Sequence, residues 1–224
     1  MFKDKKILAI IPARGGSKRL PGKNIKLFAG KPLLSYSIKH AQQSKYVDRY
    51  VVSTEEEAIA RVAKDYGAEA IIRPKELAED ITPMTPVLKN VLENVGEEFD
   101  YLVLLQPTSP LRKSETIDKA IEFLIANESN FDSLLPIKKF GHKIISIVDG
   151  ICDLKGKNDV RSQDWKPTYF ECSTVYVYKT FLAKNNLLNN ERILPFLIES
   201  DIESIDIDTL EEFQIAESIM KAIE

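Results

Sequence analysis

Five apolar residues stand in a row near the start of the chain, Ile7-Leu8-Ala9-Ile10-Ile11, and Pro12 closes the run. The run lacks the alternation of a half-exposed strand. It reads as a strand buried on both faces, the condition of a parallel sheet covered by helices. The segments that follow keep the pattern. Pro32 opens a helix running to about Ser44, with Leu33, Leu34, Ile38 and Ala41 on one face. Arg49 to Ser53 is a second strand, after which Thr54 and Glu57 have the spacing of a capping box for the next helix. Ala68 to Ile72 is a third strand, and Thr85-Pro86 opens a helix carrying Val87, Leu88, Val91, Leu92 and Val95. Tyr101 to Leu105 is a fourth strand, followed by a helix capped by Ser114 with Ile117, Ala120, Ile121 and Leu124 inward. Strand and helix alternate through the whole first half, which predicts a doubly wound α/β fold with a mainly parallel sheet flanked by helices.

The rhythm breaks after Asn127. Ser133 to Pro136, Ile144 to Val148 and Val175 to Tyr178 read as strands with no long helix between them. This predicts a single domain over residues 1–224, with residues 133–178 a β-rich excursion from the sheet. Ser204 to Asp208 reads as one more strand. Thr209 and Glu212 form a second capping box, and the last helix turns Leu210, Phe213, Ala216, Ile219, Met220 and Ile223 to one face. His40 falls inside the first helix and reads as a surface or boundary side chain.

Charge narrows the class. The net charge is −3, from 31 Lys+Arg against 34 Asp+Glu, which argues against a general nucleic-acid binder. The balance hides an asymmetry: residues 1–31 hold nine bases and one acid, whereas residues 197–224 hold nine acids and one base. No run of 18 apolar residues predicts a membrane span, and the first apolar stretch is too short for a secretion signal. Cys152 and Cys172 with His40 and His142 lack the spacing of a zinc site. The expectation is a cytoplasmic protein with reduced thiols, binding neither membrane nor nucleic acid. Any metal it uses must be a hard cation on oxygen ligands.

The segment Pro12-Ala-Arg-Gly-Gly-Ser-Lys-Arg-Leu-Pro-Gly-Lys-Asn24 follows the first strand directly. Gly15, Gly16 and Gly22 let backbone N–H groups approach phosphate oxygens, Arg14, Lys18 and Lys23 supply cations, and Ser17 and Asn24 add neutral hydrogen bonds. Arg19 is a further candidate. The loop is not a Walker A loop, because five residues separate Gly16 from Gly22 and Asn24 stands where Ser or Thr is needed. Nor does it contain a dinucleotide fingerprint. Ligands of α/β sheets sit at the carboxyl ends of strands, so the loop is expected to hold a triphosphate. Far along the chain, Asp206 and Asp208 stand two apart on the expected strand, both carboxylates on one face and Ile205 and Ile207 on the other. Two adjacent anions repel unless a cation joins them, and beside a triphosphate that cation is most simply Mg²⁺. One of the two carboxylates also suits deprotonation of an attacking hydroxyl.

These pieces together resemble the sugar-activating nucleotidyltransferases, and most closely the CMP-sialic acid synthetase (acylneuraminate cytidylyltransferase) family. The resemblance rests on the basic loop, on Val52-Ser-Thr54, on Arg73-Pro-Lys-Glu-Leu-Ala-Glu-Asp80, on Leu105-Gln-Pro-Thr-Ser-Pro-Leu-Arg112 and on Ser204-Ile-Asp-Ile-Asp-Thr209. It implies a Rossmann-like domain of the nucleotide-diphospho-sugar transferase type, with residues 133–178 as a dimerisation insertion of a homodimer. It implies CTP as co-substrate and Mg²⁺ on Asp206 and Asp208. Ala13, Arg14, Gly15, Gly16, Ser17, Lys18, Lys23, Asn24 and Arg73 then bind the nucleotide, and Arg14, Lys23, Asp206 and Asp208 are catalytic. Gln106, Ser109, Lys143, Arg161 and Tyr169 contact an acidic sugar, with Arg suited to bidentate carboxylate recognition. The implied reaction moves CMP from CTP to the anomeric hydroxyl of a nonulosonic acid.

Two departures bear on that reading. Cys172-Ser173-Thr174 stands where the family commonly reads Asn-Gly-Ala, and Glu55 stands where the acid after Ser-Thr is often Asp. Thr54 and Glu57 are accounted for as a helix cap, with no chemical role. The alternatives are a nucleotidyltransferase for Kdo or a sugar 1-phosphate, with this or another nucleotide, or a nucleotide-binding module without catalysis.

Overall fold

The computed structural model describes residues 2–141, 145–149, 151–154 and 167–223 of the chain. His142, Lys143 and Arg161 lie outside the described residues.

The first apolar run is strand β1 (Ile7–Pro12), which pairs in parallel with β4 (Arg49–Thr54) on one side and β6 (Tyr101–Leu104) on the other. Beyond β4 lies β5 (Glu69–Ile72), also parallel. The two-residue strands β2 (Leu27–Phe28) and β3 (Lys31–Pro32) form a separate small hairpin. Helices α1 (Leu33–Gln43), α2 (Glu57–Asp65), α3 (Met84–Asn94) and α4 (Ser114–Ala126) alternate with the strands. The continuous apolar character of β1 has a direct cause. Ile7, Ala9 and Ile11 enter one core with Leu34 and Ile38 of α1, Ile59 of α2 and Ile121 of α4. Leu8 and Ile10 enter a second core with Leu88 and Val91 of α3. Each face of the pleat has its own layer of helix, so both sets of side chains are apolar.

Residues 133–140 and 168–179 join the sheet, where an excursion from it is expected. β7 (Ser133–Phe140), β10 (Thr168–Glu171) and β11 (Tyr176–Lys179) extend it in the order β10-β7-β11-β6-β1-β4-β5, with antiparallel pairings among β6, β11, β7 and β10. The short helix α5 (Thr180–Lys184) follows, and β12 (Ile193–Leu197) then pairs in parallel with β7. Among the described residues of this region, β8 (Ile145–Val148) and β9 (Ile151–Leu154) stand apart, as a hairpin. The reason is that β11 continues the inward alternation, with Val177 in one core and Tyr176 in the other.

The expected strand at Ser204–Asp208 is absent. Ser204 closes a turn and residues 205–208 are irregular, with backbone groups that pair with loops: the Ile207 N–H donates to Thr108 O at 2.8 Å, and Ile207 O accepts from Lys23 Nζ at 2.7 Å. The last helix, α6 (Leu210–Ile223), packs its Phe213, Ala216 and Met220 into a third apolar cluster with Leu20, Phe28, Leu33, Tyr36, Leu111 and Ile207. That cluster joins the loop after β1 to the segment before α6, and so brings the two ends of the chain together.

Candidate active site

The chain runs outward from β1 through β4 to β5, then returns to lay β6 on the other side of β1. The loops leaving β1 and β6 therefore diverge, and the crevice between them is where α/β sheets bind ligands. A cleft of about 380 Å³ occupies it. Its walls come from the basic loop, the segment 73–84, Gln106 to Thr108 after β6, and Asp206 with Asp208.

The loop is shaped by its own contacts. Ala13 extends the β1–β4 pairing, donating its N–H to Ser53 O at 2.9 Å, so that amide is not available to a phosphate. Asn24 is buried and its Nδ2 donates to Arg14 O at 2.8 Å, which closes the loop on itself. Gly22 has φ +66, a left-handed conformation that a side chain would strain, and it leads into the short turn Lys23–Ile25. Gly16 and Ser17 lie between these fixed points, and the Ser17 N–H donates to Gly15 O at 2.9 Å.

The cations of the cleft all meet carboxylates. Arg14 and Lys18 both pair with Asp80, at 2.6 and 2.5 Å. Their hydrogen bonds, that of Lys18 first, hold the Asp80 carboxyl below the usual carboxylate range. Lys23 and Arg19 pair with Asp208, at 3.0 and 2.7 Å. The cation joining Asp208 in this structure is thus a pair of side chains. Arg73 is buried and pairs with Glu55 at 3.1 Å, and burial is the main pull lowering its pKa. The other Glu55 oxygen accepts the Gly15 N–H at 2.7 Å. Arg73 Nε is buried with no hydrogen-bond partner among the described residues.

Asp206 differs from Asp208. Its Oδ2 accepts from Ser173 Oγ at 3.0 Å, while its Oδ1 is buried without a hydrogen-bond partner among the described residues. Buried ionised oxygens are rarely left so, and a cation is the natural complement. Among the described residues no three His, Cys, Asp or Glu side chains converge into a metal cluster.

Past the end of β6, Gln106 lines the cleft, with its carbonyl held by Arg112 Nη2 at 2.9 Å and Ser37 Oγ at 3.1 Å. Arg112 is not a surface charge: only 2% exposed, it also donates to Thr174 O, and burial lowers its pKa. Ser109 is buried behind the wall, its hydroxyl donating to Ser173 O at 3.0 Å. Tyr169 sits half-exposed on β10, opposite Lys139, away from the cleft walls described above.

The capping boxes differ in outcome. Glu212 Oε2 accepts from the N–H groups of Asp208 and Thr209, both at 2.8 Å, and Thr209 Oγ1 accepts the Glu212 N–H at 3.2 Å. At α2 no box forms. The helix starts at Glu57, later than expected, and Thr54 Oγ1 instead accepts the Glu56 N–H at 3.1 Å. Ser114 likewise begins α4 and donates to Gln43 instead of capping. Glu55, Asp80 and Ser173 had been given no role from sequence. The rule that strand ends face the crevice points to Glu55, one residue past β4.

Comparison with known proteins agrees with this geometry. Residues 8–222 match the family model for cytidylyltransferases. The CMP-N,N'-diacetyllegionaminic acid synthase of Legionella pneumophila is 37% identical over 96% of this chain and 97% of its own length. The pseudaminic acid cytidylyltransferase of Campylobacter jejuni is 34% identical over 96% and 97%. The solved structure of CMP:2-keto-3-deoxy-manno-octonic acid synthetase complexed with CTP has a TM-score of 0.76, covering 98% of this chain and 100% of that one at 18% identity, a likeness of fold. The chain belongs to the cytidylyltransferase family, among its CMP-sialic-acid-like synthetases.

Proposed function

We infer that this chain transfers CMP from CTP to the anomeric hydroxyl of a nonulosonic, sialic-acid-like sugar. The sugar oxygen bonds to the α-phosphorus, the α–β phosphoanhydride bond breaks, and pyrophosphate leaves. The carrying observation is that the basic loop and the two carboxylates meet across one cleft, opposite Gln106. The work is positioning and electrostatics. Arg14, Lys18 and Lys23 hold the triphosphate, with Ser17 and the Gly15–Gly16 backbone, and Arg73 reaches the nucleotide with its free Nε. Asp206 and Asp208 are the residues that would hold Mg²⁺, which when bound neutralises the α-phosphate and the leaving pyrophosphate. One of the two takes the hydroxyl proton.

Gln106 binds the acceptor, and Ser109 supports that wall from behind. Lys143 and Arg161 are proposed to meet the sugar carboxylate. Residues 133–178 are proposed as the contact of a homodimer. No described helix is long and apolar enough to cross a membrane, and the enzyme is proposed to be cytoplasmic.

Pyrophosphate release is expected when CTP, Mg²⁺ and a nonulosonic acid are mixed with the protein. A matrix of nucleotides against acidic sugars, Kdo and sugar 1-phosphates identifies the acceptor, and no release in any cell overturns the reading. Asp208→Asn is expected to lower turnover on the order of a hundredfold while the protein stays folded. A nucleotide-binding module without catalysis would show no turnover to lose.

A further inference from the structure

We propose that Ser173 is a positioning residue for the metal-binding carboxylate Asp206. The proposal rests on the nucleotidyl-transfer reading above. Ser173 Oγ donates to Asp206 Oδ2 at 3.0 Å, and Asp206 Oδ1 is left buried and without a hydrogen-bond partner among the described residues. A carboxylate pinned at one oxygen has its second oxygen fixed in direction. Ser173 therefore decides which oxygen stays bare for a cation.

The anchor is itself held from two sides. Ser173 O accepts from Ser109 Oγ at 3.0 Å, and the adjacent Thr174 O accepts from Arg112 Nε. Thr174 Oγ1 donates to Glu203 O at 3.0 Å, on the segment that leads into Asp206. The acceptor loop after β6, residues 172–174 before β11 and the carboxylate segment thus form one hydrogen-bonded unit, with the Ser173 hydroxyl at the last link. A glycine or alanine at this position has no hydroxyl to supply it. Partners that orient a metal ligand from behind are worth a substantial share of metal affinity.

The test is Mn²⁺ binding, read by electron paramagnetic resonance, to the protein with a CTP analogue carrying a methylene between the α- and β-phosphorus. Ser173→Ala is expected to weaken Mn²⁺ binding about tenfold, and Ser173→Thr, which keeps the hydroxyl, to bind as the wild type does. Adding Ser173→Ala to Asp206→Asn should weaken binding no further. In turnover assays the Ala variant should need more Mg²⁺ for half-maximal rate, with an unchanged KM for CTP at saturating Mg²⁺. Thermal melts check folding, and Ser173→Cys, with a similar volume and a weaker donor, takes the place of Ala if that variant does not fold. Wild-type Mn²⁺ binding by Ser173→Ala, with loss in Asp206→Asn, overturns the proposal and leaves the metal reading intact. Equal losses in the Ala and Thr variants also overturn it. Wild-type binding by Asp206→Asn overturns the metal reading, and the proposal with it.

Discussion

Glu55 holds two parts of the site with its two oxygens, the Gly15 N–H at 2.7 Å and Arg73 at 3.1 Å. Its removal leaves the buried guanidinium without its carboxylate and frees the start of the basic loop. Breaking a fully dry pair costs several kcal/mol, and because Arg73 borders the cleft the expected loss for Glu55→Ala is roughly 2 kcal/mol. Urea unfolding should show it as a lower midpoint with an unchanged slope. The same variant should bind CTP more weakly, whereas an unchanged midpoint would mean that the pair contributes nothing. At this scale the sequence was only partly legible. The cations of the loop could be named because Gly and Lys after a buried strand are unusual together. Their carboxylate partners could not, because Glu55 and Asp80 lie 40 and 66 positions beyond the loop residues Gly15 and Arg14 that they meet. No local pattern encodes such a pairing.

Among the elements, the start of α6 couples stability to the site. Glu212 receives the Asp208 and Thr209 amides together, so the cap that begins the helix also fixes the backbone of a proposed catalytic carboxylate. Glu212→Ala is expected to cost about 1 kcal/mol, which for a chain of this size lowers the melting temperature by about 2–4 °C. It should also lower kcat, and a melting shift with normal kcat would separate the cap from the chemistry. The box at Thr209 was readable because both partners belong to one helix end. The same spacing at Thr54 misled, since Glu55 and Glu56 intervene before α2 begins. The segment 204–208 shows the limit of periodicity: Ile207 is buried and Asp206 and Asp208 reach the cleft, as alternation requires, yet no strand among the described residues pairs with it. Alternation reports facing, while a strand also needs a partner, and here Thr108 and Lys23 take that place.

For the whole molecule, the α/β alternation was legible because two helix layers demand apolar residues on both faces of β1. The return of β7, β10 and β11 to the sheet was not, because their pairing is antiparallel and is set by contacts between distant segments. Acid stability is a global property with an identifiable source. His40 is buried, and burial first, then Arg112 and Lys39, lowers its pKa from 6.5 to about 3. Below pH 6.5 the unfolded chain binds a proton that the folded chain excludes, so stability falls as pH falls. The slope approaches 1.4 kcal/mol per pH unit as an order of magnitude. Its Nδ1 has no hydrogen-bond partner among the described residues, so an apolar ring loses little there. His40→Phe is expected to flatten the fall in urea midpoint between pH 6.5 and 5, and an equal fall in the variant would assign the effect elsewhere. The ion pairs of the cleft carry a different consequence. Arg14 and Lys18 hold Asp80, Arg19 and Lys23 hold Asp208, and Arg73 holds Glu55, so the cleft brings its own counter-ions. A triphosphate then enters by exchange, displacing protein carboxylates instead of releasing salt anions to bulk water. CTP affinity should therefore depend on KCl less steeply than the number of cations suggests, and Asp80→Asn should make that dependence steeper while tightening binding at low salt.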